Sequence, residues 1–243
     1  MDPASYWAAL VIDSTLFLTQ AAVFAFIYSG VDAVNGWTAW HCVFFVGTFT
    51  LIDGLYMASY FFGLIGLPDL AASGELDLYL AKPLPPLLHV AFRSVDPGSL
   101  FIALPAVGLL AASAAALGLP VTPGAVAAYL AAALLMLVLV FDLMVLIRLP
   151  CFWFQRLTAL QTVEGALVES SIRVPGPLWR GALRWLFNVF LPYGLIATFP
   201  SEVFFGQAGA GRWLGAAAVV AAFTVLTGIG WRAALRRYAG AGA

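Results

Sequence analysis

Five carboxylates stand in or beside long apolar runs of this 243-residue chain: Asp13, Asp53, Asp142, Glu164 and Glu169. An ionised carboxylate held in hydrocarbon costs several kcal/mol, so each of them has to face protein or water. Two kinds of chemistry would use them. One is a relay for protons or cations. The other is packing, either against Arg148 or Arg156 or against polar residues of a neighbouring subunit. A coupled-ion site gathers its acids, whereas these are scattered over four apolar runs at irregular spacing, and the spacing favours packing.

The second group with chemical potential is the run Gly74-Glu75-Leu76-Asp77-Leu78-Tyr79-Leu80-Ala81-Lys82-Pro83. It concentrates charge in a chain of which only 9% is charged. Leu76, Leu78 and Leu80 alternate with Glu75, Asp77 and Lys82. That pattern suits a contact in which leucines enter a cleft and charges pair at its rim. The competing reading is a solvated loop.

Bond-making chemistry has less support. His41 and His89 are too far apart in sequence and too near apolar boundaries to suggest a metal pair. Ser170-Ser171 and Ser201 have no evident His–Asp partners for nucleophilic catalysis. Cys42 and Cys151 match no metal spacing and read as buried thiols. The net charge of −1 gives no basic face for nucleic acid. No G-x-x-x-x-G-K-[ST] nucleotide loop occurs, so the chain itself binds no cofactor on this reading.

The elements that must position these residues are membrane spans. Apolar residues make up 63% of the chain. Several runs exceed the roughly 18 residues needed to cross about 30 Å of hydrocarbon. The alternation of an outer-membrane barrel is absent, which leaves helices to satisfy the backbone in lipid. The fold expected is all-α, with spans near 6–28, 38–65, 99–117, 125–147, 157–172 and 213–231. An interfacial segment, 68–97, separates the second span from the third. Residues 178–205 are interrupted by Arg180, Arg184, Asn188, Pro192, Pro200 and Glu202, which suits a helical hairpin entering the membrane part-way. The whole chain is expected to form one transmembrane domain.

With six crossings both termini share a side, and placing them in the cytoplasm puts seven of the eleven basic residues inside. Trp7, Trp37, Trp40, Trp153, Trp179, Trp213 and Trp231 fall near span ends, as interfacial aromatics do. Phe152-Trp153-Phe154, beside Arg148 and Arg156, reads as another interfacial anchor, with a lipid-headgroup site as the sharper alternative. No internal repeat supports the inverted plan of many secondary transporters.

The run Gly74 to Pro83 resembles the G-E-L-D-x-x-L-x-[KR]-P segment of a bacterial subgroup of ABC-2-type transporter permeases. Other pieces resemble it in the same order: Gly36-Trp37-Thr38, Phe152-Trp153, the stretch Leu191 to Pro200, Trp231, and Leu235 to Gly242. The likeness spans most of the chain. It implies a permease of the type V exporter kind: six spans, a cytoplasmic coupling helix between the second and third, and short re-entrant helices before the last. It also implies a complex of two permeases, identical or homologous, with two ABC ATPase subunits that carry ATP and Mg, in the bacterial inner membrane. Gly74, Glu75, Leu76, Asp77, Leu78, Leu80, Lys82 and Pro83 would then form the ATPase-coupling surface. The alternatives from other classes are an ion-coupled carrier built on the intramembrane acids and an integral-membrane enzyme acting on lipids.

Overall fold

The computed structural model describes residues 15, 18–20, 22–26, 28–30, 32–154, 162, 165–166, 175 and 181–241. Among the described residues the fold is helical, and the one β feature is an isolated bridge between Val34 and Trp37. The expected first and fifth spans lie largely or wholly outside the described residues, as do Asp13, Glu164 and Glu169.

Four helical stretches are long and apolar enough to cross a membrane: Ala39–Ser73, Pro97–Ala116, Pro123–Phe152 and Ala210–Tyr238. They coincide with the second, third, fourth and sixth spans expected from hydropathy. Two of them have a clear local reason to begin where they do, and a third to end. Before the first, Asn35 and Gly36 both take positive φ (51° and 80°), and Val34 and Trp37 exchange two backbone hydrogen bonds of 2.9 and 3.0 Å. This is the Asn-Gly turn that closes a two-residue hairpin. Thr38 then caps α1, Ala39–Tyr56, in a capping box whose return partner is His41, with Nδ1 2.8 Å from the Thr38 hydroxyl. Gly118, at φ 63°, closes the stretch ending at Ala116. Thr122 caps the next helix through a 3.1 Å bond from the Ala125 amide, with Pro123 at its first position.

The first stretch is not one regular helix. After α1 comes a wide π turn, Met57–Phe61, then α2, Phe62–Ile65, a break at Gly66, and α3, Leu67–Ser73. Sequence had ended this span at Ile65 and begun an interfacial segment at Pro68; the helix itself continues past both points. Pro68 stands in the first turn of α3, where its missing N–H interrupts nothing, so the chain stays helical to Ser73.

From there the chain runs through α4, Asp77–Leu80, and α5, Pro86–Ala91, into a tight 3₁₀ lead, Pro97–Ile102, and α6, Ala103–Ala116. Next come α7, Pro123–Arg148, and a second 3₁₀ turn, Leu149–Phe152. The segment before the last helix is broken as expected: α8, Ala182–Trp185, a π turn Leu186–Phe190, a bend at Leu191-Pro192, and α9, Leu195–Phe204. At ten residues α9 rises about 15 Å, too short to cross. It is nonetheless buried from Leu195 to Ser201, wedged against α1 and α7. The last helix is α10, Ala210–Ala241.

Two contacts show how the helices approach. A Cβ on Gly63 would strike the Ala91 carbonyl, so only glycine lets α5 lie against α2. Tyr60, in the π turn, donates a 2.7 Å hydrogen bond to the Leu137 carbonyl of α7. Its buried hydroxyl thereby ties the two longest stretches together where α1 loses its regular geometry.

Candidate functional site: the Gly74–Pro83 segment and its supports

Gly74 ends α3 in the left-handed conformation (φ 78°), which a side chain would strain. The chain reverses there, and the Leu76 amide bonds back to the Leu70 carbonyl at 3.2 Å. Leu76 follows its amide inward. Its side chain is fully buried, in the core that also holds Leu64, Leu67, Leu70 and Val90. Burying a leucine to that extent is worth about 1.5–3 kcal/mol relative to exposure. The three alternating leucines therefore do not share one outer face. Leu76 is the internal anchor, Leu80 is half-buried, and Leu78 stands outside at 65% exposure. The alternation rule failed because a four-residue helix, not a strand, begins at Asp77.

The outward surface consists of Glu75, Asp77 and Leu78, with Lys82 and Pro83 beyond. Asp77 also has a neighbour within the chain: the Tyr238 phenol near the end of α10 faces its carboxylate. Tyr238 in turn packs edge-on against Phe152, with ring centres 6.0 Å apart, and Phe152 meets Trp231 at the same distance. The sequence pieces Gly74–Pro83, Phe152, Trp231 and Tyr238, far apart along the chain, thus gather at one end of the helix bundle. Gly230 helps, since its missing side chain makes room for Leu149. Trp153 and Phe154 stay exposed. Trp37 and Trp231, by contrast, are buried at 2% and 7% exposure. Sequence had placed both in an aromatic belt, but their positions near span ends put them under neighbouring chain rather than toward lipid.

Lys82 turns back over the Tyr79 ring, with Nζ 5.6 Å from its centre. The Arg93 guanidinium lies 6.0 Å from the same centre, and the His89 ring meets Tyr79 edge-on at 5.0 Å.

The acids singled out by hydropathy have other settings. Asp142 is buried on α7, where Thr224 of α10 donates to its Oδ2 at 2.6 Å and the Thr227 hydroxyl approaches its carbonyl at 3.5 Å. Packing was expected against Arg148 or Arg156 or against polar residues of a neighbouring subunit; among the described residues Asp142 meets threonines of its own chain. Arg148 is itself buried and donates to the Met144 carbonyl at 2.8 Å. Asp53 is half-buried on α1 and engaged with a partner.

At the opposite end of the bundle, α9 is fixed by Trp37, His41 and Ser201, named above, together with Thr48, Tyr129, Phe205 and Arg212, which sequence reading passed over. Trp37 and His41 clasp Phe205 at ring distances of 5.6 and 4.7 Å. Thr48 is the centre of a buried polar knot, 3.2 Å from both the Tyr129 hydroxyl and Ser201 Oγ. Ser201 also donates to the Ala197 carbonyl at 2.8 Å. Pro192 makes the bend before α9, and Pro200 lies within it. Glu202 pairs with Arg212 at 2.7 Å across the turn into α10. One signal for this arrangement was available: a threonine, a tyrosine and a serine inside apolar runs each need a partner.

No curated protein and no solved structure matches the chain. A family model does, described as ABC-2 family transporter protein, over residues 15–242. Permeases of this kind are typically not catalytic themselves and generally pair with ABC ATPases. With its apolar helices in that match from Thr15 almost to the last residue, the chain belongs to the ABC-2 family of transporter membrane proteins.

Proposed function

We propose that the chain is the membrane-spanning permease subunit of an ATP-driven exporter, and that Glu75, Asp77 and Leu78 are its contact with a separate ATPase. The observation that carries the reading is the construction of that segment. Two acids and an apolar side chain are presented outward between two membrane-crossing stretches, while Leu76 fixes them from within. A solvated loop has no need of such an anchor. The family supplies the energy source that this sequence lacks, because no nucleotide loop occurs in it.

In this reading two copies, or two homologous permeases, enclose the translocation path. Two ATPases carry ATP and Mg on the cytoplasmic side of the bacterial inner membrane. Six spans, both termini in the cytoplasm, and α8 with α9 entering from the outer side complete the arrangement. ATP binding closes the ATPases, the Gly74–Pro83 segment moves with them, and the helices it joins change their packing. This is a two-state gate biased by one partner. Tyr238 and Phe152 lie where such a movement would reach α10. Asp142 is engaged in helix packing, and nothing in its surroundings favours the ion-coupled carrier.

Purification of the tagged chain from its native membrane in mild detergent tests the reading. An ABC ATPase should co-purify and hydrolyse ATP. Liposomes holding the chain alone should show no transport. Uptake or efflux driven by a proton or sodium gradient without ATP would overturn the assignment.

A further inference from the structure

Beyond the acidic tip of the segment, its second half has the opposite character. Lys82, His89 and Arg93 converge on the single ring of Tyr79, at 5.6, 5.0 and 6.0 Å. Among the described residues neither Lys82 nor Arg93 has an ion-pair partner. His89 Nδ1 and Arg93 Nε are buried with no hydrogen-bond partner there. Lys82 and Arg93 thus place two positive charges beside one ring with no carboxylate paired to either among the described residues, and His89 adds an unpartnered ring nitrogen. The Arg93 guanidinium is seated by its surroundings, since a Cβ on Gly66 would collide with its Nη2.

A second observation says where an anion to meet these charges would come from. Leu84, Leu88, Phe92 and Val95 are 56%, 47%, 49% and 56% exposed. Leu88 lies on α5 and Phe92 directly after it, while Leu84 and Val95 flank that helix, so one stretch of chain from Lys82 to Val95 carries both the basic groups and the four exposed hydrophobics. Basic groups beside exposed large hydrophobics suit a segment lying in the headgroup boundary of a membrane. Guanidinium groups match phosphate oxygens in pairs, and an ammonium adds a point charge.

We propose that Lys82, His89 and Arg93, set around Tyr79, form a binding site for the phosphate of an anionic phospholipid, with the exposed Leu84, Leu88, Phe92 and Val95 seated in its acyl region. The segment between the two spans then has two faces. The outward tip, Glu75 to Leu78, meets water or a protein, and Tyr79 with the residues from Lys82 to Val95 meets lipid. The site does not depend on the ATPase reading.

Native mass spectrometry of the full chain in mild detergent tests it, with phosphatidylglycerol, phosphatidylcholine or inorganic phosphate added. The wild type should retain phosphatidylglycerol in preference to phosphatidylcholine, and raised salt should weaken that retention. K82Q and R93Q should each reduce retention about fivefold, while R237Q, an exposed cation elsewhere at the same end, should not. Should R93Q fail to fold, K82Q carries the test, because its side chain is exposed. Equal retention of both lipids, or equal losses in K82Q and R237Q, overturns the proposal. Displacement of phosphatidylglycerol by millimolar phosphate assigns the cluster to free phosphate and also overturns it. Unchanged lipid retention with loss of a co-purifying ATPase in K82Q would overturn it in favour of an acidic protein partner.

Discussion

Thr224 donates its hydroxyl proton to Asp142 Oδ2 at 2.6 Å, joining the last helix to α7 inside the bundle. Interhelical hydrogen bonds in membrane proteins are worth about 0.6 kcal/mol on average and up to about 1.7 kcal/mol. T224V should therefore lower thermal stability in detergent by an amount in that range. D142N, which can still accept the hydroxyl, should stay near wild type in both stability and ATP-driven transport. Loss of transport in D142N with stability retained would mean that Asp142 works as a proton or cation carrier.

Leu76 and Leu78 separate stability from partner binding. L76A removes a fully buried side chain and should cost about 2–5 kcal/mol, read as a fall in melting temperature or folded yield. L78A removes an exposed one and should leave stability unchanged while lowering co-purification of the ATPase. A buried interface anchor is worth roughly 2 kcal/mol or more, whereas exposed ion pairs give about 0–1 kcal/mol. E75A and D77A should accordingly weaken the complex chiefly at low salt. If all three outward changes leave ATPase yield untouched in folded protein, this segment is not the docking surface.

Gly63 is expected to tolerate no side chain. G63A sets a methyl group against the Ala91 carbonyl, backbone that cannot swing aside, and overpacking of this kind costs about 1–3 kcal/mol. G108A is the control, because nothing lies within 4 Å of the Cβ it would add. Equal melting temperatures for the two variants would show that α5 does not press on α2 as described.

The helix-break-helix from Ala182 to Phe204 should enter and leave at one membrane face. Single cysteines at Ala182 and Gln207, with Cys42 and Cys151 replaced, should both react with an impermeant reagent from outside. Reaction from opposite faces would make this segment a full crossing.

How far all this could be read from the sequence depended on which interactions were local. The apolar lengths of the described spans are carried by the runs themselves, and those spans stand where hydropathy put them; the Asn35-Gly36 turn and the Thr122 cap are equally local, but the sequence reading did not single them out. Pro68 misled because a proline is as acceptable in the first helical turn as after the last. Leu76 misled because its burial depends on Leu70 and Val90, which no periodicity within Glu75–Lys82 can register. Trp37 and Trp231 resemble belt tryptophans by position, and only their neighbours Phe205 and Phe152 show them to be internal. The Thr48–Tyr129–Ser201 knot joins residues from three separate stretches, so its partners could be known to exist but not named. Gly63 looked like any glycine of an apolar run until the Ala91 carbonyl was found beside it.

The π turn at Met57–Phe61 has a bearing on the charged segment well beyond it. A π turn places one extra residue in the helical count, and one residue corresponds to about 100° of rotation around the axis. Upstream of it Phe45 and Phe49 pack into one core while Ile52 already joins a second, and downstream Leu64, Leu67 and Leu70 stay in that second core. The bearing of Glu75 and Asp77 therefore depends on the phase kept at Met57–Phe61 together with the break at Gly66 and the reversal at Gly74. Removing one residue from the turn would restore regular winding and rotate the acids away from their present bearing without altering any residue they touch.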